Sequence, residues 1–329
     1  MYPTIETSRK TFGSLRAGFC VALLALSTPL ATYAVDGYAA TNGGTKGGTG
    51  GTNVTVKTLA EFTAAVGDDT PRVVHVSGTI NLGSSSVRVG SNKTIIGVGA
   101  NSGFLGDIKT VKENNIIFQN LNFTNPKKVG DGDGLTLQKT THVSVEHCTF
   151  VDCADGSLDI THACDWITVE WCKFHYTRDA GHNFVNLIGH SDKNAAEDTG
   201  KLHVTMHHNW YSTLCKERMP RVRFGEVHVY NNYYGAAGSN YNVGLGDNSQ
   251  VLLETCYFDS QTMPWKDYSS SASHKGKIHW NTGNVFVNTK VPTWAPNSTV
   301  FTPSYSYTLT SGSNVKSSVT NASTGAGTH

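Results

Sequence analysis

The sequence is poor in charge and in helix-forming punctuation. Only 16% of its 329 residues are Asp, Glu, Lys or Arg, and it holds 9 prolines and 4 methionines. No stretch after the N-terminus is apolar enough to span a bilayer, so no membrane partner is expected. There is no basic excess. Once a leader of residues 1–34 is set aside, with Arg9, Lys10, Arg16 and Glu6, 23 basic residues face 24 acidic ones. That balance excludes a general nucleic-acid binder, which needs a large positive surplus. No C-x-x-C pair occurs, which argues against a structural zinc site.

What is present points outward and toward strands. Arg9, Lys10 and Arg16 precede an apolar run from Ala17 to Leu26, and Thr32-Tyr-Ala34 offers small residues for cleavage after Ala34. This pattern predicts a signal peptide and a secreted protein. Six cysteines remain beyond it, at 148, 153, 164, 172, 215 and 256. An even count in an exported chain predicts disulfides, with the pairing open. The 34 glycines and abundant Ser, Thr and Asn favour turns over helices. One short helix is expected over Thr58–Ala65, with Thr58 as its cap and Glu61 three residues on.

A repeat dominates the middle of the chain. Ser144-Val-Glu-His-Cys-Thr-Phe150, Thr168-Val-Glu-Trp-Cys-Lys-Phe174, Thr205-Met-His-His-Asn-Trp-Tyr211, Val229-Tyr-Asn-Asn-Tyr-Tyr234 and Leu253-Glu-Thr-Cys-Tyr-Phe258 share one template, and Ile116–Phe123 fits it loosely. The aromatic ends at 123, 150, 174, 211, 234 and 258 are spaced by 27, 24, 37, 23 and 24 residues. A period in the low twenties with one insertion describes stacked coils that share one continuous core. The prediction is an all-β, right-handed parallel β-helix over residues 35–310, a monomer with surface loops. Cys148, Cys172, Asn209, Asn232 and Cys256 then share one slot, and His207, His208, Asn231 and Asn232 read as structural ladder residues. The insertion, Gly181 to Lys201, is expected to be a charged surface loop near the site. Residues 311–329 are expected to form a loose Ser/Thr/Gly-rich tail.

Two clusters carry chemistry. Asp131-Gly-Asp133 and Asp155-Gly-Ser-Leu-Asp159 lie one coil apart, where equivalent positions are separated by ~4.8 Å. Asx turns are the ordinary use of a single Asp-Gly pair. Four carboxylates on one face repel one another unless a hard cation neutralises them, and Ca²⁺ takes 6–8 such oxygens. The second cluster is Arg218-Met-Pro-Arg-Val-Arg-Phe-Gly225, with three arginines in six positions. Arginine ordinarily binds anions and keeps its proton. A cation site beside an arginine patch describes a groove for a polymer bearing carboxylates.

Taken together, Asp131-Gly-Asp133, Asp155–Thr161, Leu187-Ile-Gly-His-Ser-Asp192, Arg218–Arg223 and Val227–Tyr234 resemble polysaccharide lyase family 1, and within it the pectate lyases. The resemblance covers roughly residues 40–300. It implies calcium held by Asp133, Asp155 and Asp159, with Asp131 auxiliary, and β-elimination on polygalacturonate. Arg218 matches the family's catalytic arginine and Arg223 its second, substrate-binding arginine. Arg221, Lys216, His182 and Arg178 are further candidates for holding substrate. One departure stands out: a lysine common in pectate lyases three residues before Leu187 is here Phe184, so its role passes to Arg178, His182 or Lys193, or is lost. The implied base needs its pKa brought down from above ~12, which neighbouring cations favour, and predicts an alkaline optimum. The alternatives weighed are a pectin lyase, a hydrolase using paired carboxylates, and a non-catalytic calcium-stabilised binder.

Overall fold

A computed structural model describes residues 1, 3, 4, 34–293 and 297–329. The expected signal peptide lies almost wholly outside the described residues. The chain divides into Met1–Ala34 and Val35–His329, and every described strand lies in the second unit. Among the described residues no helix is long and apolar enough to cross a membrane.

The predicted coils form. Twenty-seven described strands fall into three parallel sheets of ten, eight and nine strands, each complete coil giving one strand to each sheet. The result is a parallel β-helix of about ten turns. Side chains alternate in and out with period two, so each sheet sends a column of residues into the core. In the ten-stranded sheet one such column runs Val54, Val74, Ile95, Phe118, Val145, Val169, Met206, Val229, Leu253 and Trp280.

The aromatic ends of the repeat form a second column, in the nine-stranded sheet. Phe123, Phe150, Phe174, Tyr211, Tyr234, Phe258 and Phe286 stack with ring centroids 4.5–5.3 Å apart. Offset stacks of this kind add about 0.5–1.5 kcal/mol per pair to the burial of the rings. Between the ten- and nine-stranded sheets the chain turns through left-handed residues at Asn120, His147, Trp171, His208, Asn231 and Thr255. The next residue on each coil closes the bend. Asn209 Oδ1 accepts from Cys172 N at 2.9 Å, Asn232 Oδ1 from Asn209 N at 2.8 Å, and Asn284 Oδ1 from Cys256 N at 2.8 Å. These buried amides satisfy backbone groups that would otherwise be stranded.

A helix closes the N-terminal end. The helix Leu59–Val66 is capped by Thr58 and Glu61 in a reciprocal capping box and lays Phe62 on Phe104, with centroids 4.7 Å apart. Ahead of it the glycine-rich entry crosses the ten-stranded sheet. A side chain at Gly48 would stand 1.8 Å from Arg72 O, so only glycine fits that approach.

Two expectations are corrected. The six described cysteines are free and buried, without disulfides. Stacked thiols run parallel and meet carbonyls of the coil below: Cys148 Sγ lies 3.7 Å from Phe118 O and Cys172 Sγ 3.5 Å from Val145 O. Burial pushes the Cys164 and Cys256 thiols up to about 12. The tail is not loose either. Gly312–Val319 is a helix that packs Val315 and Val319, one turn apart, near Tyr233 and Trp210. Beyond it Thr328 N donates to Thr149 Oγ1 at 3.0 Å and His329 N to Asn120 Oδ1 at 2.7 Å.

Candidate active site

The eight-stranded sheet carries the site. Leu135, Leu137, Leu158 and Ile160 point into the core, so the residues between them point out. One outward column reads Lys109, Thr136, Asp159, Leu187, Arg221, Gly244, Lys266. The turn ahead of each strand supplies a second line: Asp133, Gly156, Phe184, Arg218 and Tyr241, each three residues before its column member.

Asp133 and Asp159 therefore belong to neighbouring coils but are offset by three positions. They converge across Gly156. A Cβ built there would lie 2.7 Å from Asp159 Oδ1 and 2.8 Å from Asp133 Oδ1, so the absent side chain leaves a cradle between two carboxylates. Asp133 is buried and takes a bond from Thr136 Oγ1 at 2.8 Å. Asp159 Oδ1 accepts from Leu187 N at 3.2 Å. Neither has an ion-pair partner among the described residues. Burial, aggravated by Asp159, holds the Asp133 carboxyl well above the usual range. Burial likewise lifts Asp159 to about 7, against the pull of the Arg218 charge. Asp107, one coil below, is lifted to about 6 by burial, and its Oδ1 is buried with no hydrogen-bond partner. Crowded, desolvated carboxyls with an open cradle fit a hard divalent cation.

The other two predicted ligands sit at the rim. Asp155 Oδ2 is 3.2 Å from Lys128 Nζ and its Oδ1 2.8 Å from His182 Nε2. Asp131 is exposed and paired with Lys109 Nζ at 2.5 Å.

The arginines take three distinct settings. Arg218 adopts a left-handed backbone (φ +61), its carbonyl accepting from Asn186 N at 2.6 Å. This turn sends Met219 into the core and leaves the Arg218 guanidinium 4.4 Å from the centroid of Phe184. Arg218 Nε is buried without a hydrogen-bond partner, and no carboxylate among the described residues pairs with Arg218. Arg221 lies over Tyr268 at 4.4 Å; burial, then Arg223 and Arg218, draw its pKa down. Arg223 is buried between Gly189 and Gly246 and donates through Nε to Asp192 Oδ1 at 2.5 Å and through Nη1 to Gly189 O at 3.0 Å.

Lys216 Nζ stands 3.5 Å from Asp179 Oδ2. Arg178 is exposed beside Asp152 and Tyr176, lining a small cavity to which none of the four predicted metal ligands contributes. His182 packs tilted against Phe184, with centroids 3.8 Å apart, and engages Asp155. The expected Gly181–Lys201 loop is divided: Asn186–Ile188 is a strand of the site sheet, and the excursion proper holds two short helical turns at Asp192–Asn194 and Ala195–Asp198. Sequence reasoning overlooked the aromatic floor at Tyr241 and Tyr268 with Lys266, whose Nζ lies 4.7 Å from the Tyr268 centroid. Their two coils lack the Asp-Gly and clustered-arginine markers, and the column register reveals them.

Comparison with known proteins agrees with this architecture. A family model described as pectate lyase matches residues 10–329. A probable pectate lyase A of Neosartorya fischeri is 38% identical over 316 residues, covering 90% of this chain and 92% of that protein. Pectate lyase A of Aspergillus niger is 36% identical over 294 residues, covering 86% and 85%. A pectate lyase from Bacillus sp. N165, solved in complex with trigalacturonate, superposes with a TM-score of 0.73 at 30% identity, covering 90% of this chain and 99% of that one. The extent of the family match and the identity sustained across most of both fungal relatives place the conclusion beyond fold alone: the chain belongs to the pectate lyase family.

Proposed function

We propose that this pectate lyase is a secreted, monomeric, calcium-dependent enzyme that cleaves de-esterified polygalacturonate by β-elimination and releases 4,5-unsaturated oligogalacturonides. The observation that supports the reading is the occurrence, along the outer side of one sheet, of the Asp133–Asp159 cradle and the unpaired Arg218. Asp133, Asp155 and Asp159 would hold Ca²⁺, with Asp131 auxiliary. When bound, the ion would draw charge from the galacturonate C6 carboxylate and make the C5 proton more acidic.

Arg218 is assigned the proton at C5. Its guanidinium rests on an apolar ring, with no carboxylate fixing its charge. As C5–H gives its proton to Arg218, which must act as the neutral guanidine and becomes guanidinium, the electron pair forms the C4–C5 double bond and the C4–O4 bond breaks, with solvent protonating the departing oxygen. Arg221 and Arg223 are assigned to substrate carboxylates at neighbouring subsites. The Asp192 and Gly189 contacts hold Arg223 in one orientation, so little freedom is lost on binding. Lys216 extends the basic wall. His182 is assigned to orienting Asp155, and Arg178 to the outer rim. With Phe184 in the lysine slot, that position supplies a platform for Arg218 and no charge for substrate.

The test is ultraviolet absorbance of unsaturated product from polygalacturonate, with and without chelator. The reading expects product that disappears on chelation and returns with added Ca²⁺. Reducing ends without unsaturation would mean hydrolysis and overturn it.

A further inference from the structure

On the outer face of the ten-stranded sheet, away from the sheet that bears the groove, a second polar cluster is buried. Glu146, Glu170, His207, Tyr230 and Glu254 form one column on successive coils. The segment that begins the described second unit lies across it. Thr168 Oγ1 donates to Asp36 O at 2.8 Å, Tyr38 N to Thr205 Oγ1 at 3.0 Å and Ala39 N to Thr168 Oγ1 at 3.1 Å. This arrangement brings the Asp36 side chain onto His207. His207 Nε2 is 2.9 Å from Asp36 Oδ1 and 3.4 Å from Glu170 Oε2.

From this geometry we infer that Asp36, Glu170 and His207 form a binding site for a divalent transition ion of the zinc class, which clamps the segment Asp36–Ala40 to the β-helix. The three donor atoms lie within 4.8 Å of one another. Ligands about 2.0–2.1 Å from a tetrahedral ion stand about 3.3 Å apart; the His207–Glu170 separation of 3.4 Å matches this, and the His207–Asp36 separation of 2.9 Å would widen slightly to admit the ion. Imidazole with carboxylates suits zinc-class ions better than calcium, which prefers an all-oxygen shell.

Two orphaned atoms point to a missing partner. Glu170 Oε1 and Glu146 Oε2 are buried and make no hydrogen bond, in residues only 5% and 2% exposed. Leaving such atoms unsatisfied is costly, and an ion bridging the column removes the cost. Glu146, the register partner of Glu170, is the natural source of a fourth ligand. The outer contacts have the form expected around a metal-bound histidine. His207 Nδ1 is 2.8 Å from His208 Nδ1, and His208 Nε2 is 3.0 Å from Thr310 Oγ1. With His208 donating through Nε2 to Thr310, its Nδ1 accepts from His207 Nδ1–H. The His207 Nε2 lone pair is then aimed at the two carboxylates, an arrangement that calls for a cation between them. Asp36 is 44% exposed, which leaves a path for entry.

The inference does not depend on the lyase reading. Purified protein, kept in excess Ca²⁺ to occupy hard sites, is titrated with Co²⁺ and then Zn²⁺. The expected result is one Co²⁺ per chain with visible ligand-field bands, displaced by Zn²⁺. His207→Ala and Asp36→Asn should each weaken binding more than about tenfold, while Asp159→Asn in the groove leaves the bands unchanged. Asp36→Asn decides the matter if His207→Ala fails to fold, since Asp36 sits on an outer segment; circular dichroism checks both. Absence of the bands, their persistence in Asp36→Asn, or their loss in Asp159→Asn alone would overturn the site.

Discussion

The Arg218 guanidinium sits 4.4 Å from the centroid of the Phe184 ring, where many pectate lyases carry a lysine. A cation over an aromatic face gains ~0.5–2 kcal/mol, more when desolvated. Phe184→Leu keeps the bulk and removes the π-face. Turnover on polygalacturonate should fall about two- to thirtyfold, with KM little changed, because the ring orients Arg218 and is not assigned to substrate. Steady-state kinetics of the variant checks this.

Asp133 and Asp159 face each other across Gly156 with no cationic partner among the described residues. Removing calcium should therefore lower both activity and thermal stability, since a ligand bound only by the folded state stabilises it by mass action. Asp159→Asn should raise the calcium concentration for half-maximal activity by at least about tenfold. Activity followed against free calcium in the two proteins measures the shift.

Phe150 is fully buried between Phe123 at 4.7 Å and Phe174 at 5.0 Å. Phe150→Ala should cost ~3–5 kcal/mol of stability, whereas Phe150→Leu, which keeps most of the apolar bulk and loses both ring stacks, should cost less, ~1–3 kcal/mol. Urea unfolding monitored by circular dichroism separates the two.

His203 Nδ1 lies 2.6 Å from Asp165 Oδ1, and that bond raises the His203 pKa above 6.5. A histidine raised on folding contributes stability that is complete below its unfolded pKa and lost as pH rises through the higher folded value. At fixed calcium the urea midpoint should therefore fall as pH rises above about 6.5 through the higher folded value. His203→Gln should flatten that part of the profile.

The stack of coils was legible because one aromatic slot recurs with a spacing that only stacking explains. Phe286 escaped that reading since its coil keeps the aromatic and loses the template around it. Asn284 was missed for the same reason, although it continues the Asn209–Asn232 ladder. At the site, the Asp and Arg clusters were legible as a shared face. Their register was not: Asp159 pairs with Thr136, not with Asp133, and only the pairing of strands reveals the cradle. Cysteine count misled, because burial in parallel columns produces an even number of thiols as readily as disulfides do. The C-terminal helix was hidden by polar composition, its only signal being Val315 and Val319 one turn apart. Asp36 and His207, 171 residues apart in sequence, had no local signal at all.

The central claim is that Arg218 removes the C5 proton. General-base catalysis contributes roughly 10²–10⁴ in rate. Lysine keeps the charge but changes the reach and the planar donor geometry. The direct measurement is the rate of unsaturated-product formation by Arg218→Lys at saturating calcium and polygalacturonate. The account predicts a fall in kcat within that range while KM stays near that of the unaltered protein. Full turnover in Arg218→Lys would contradict it.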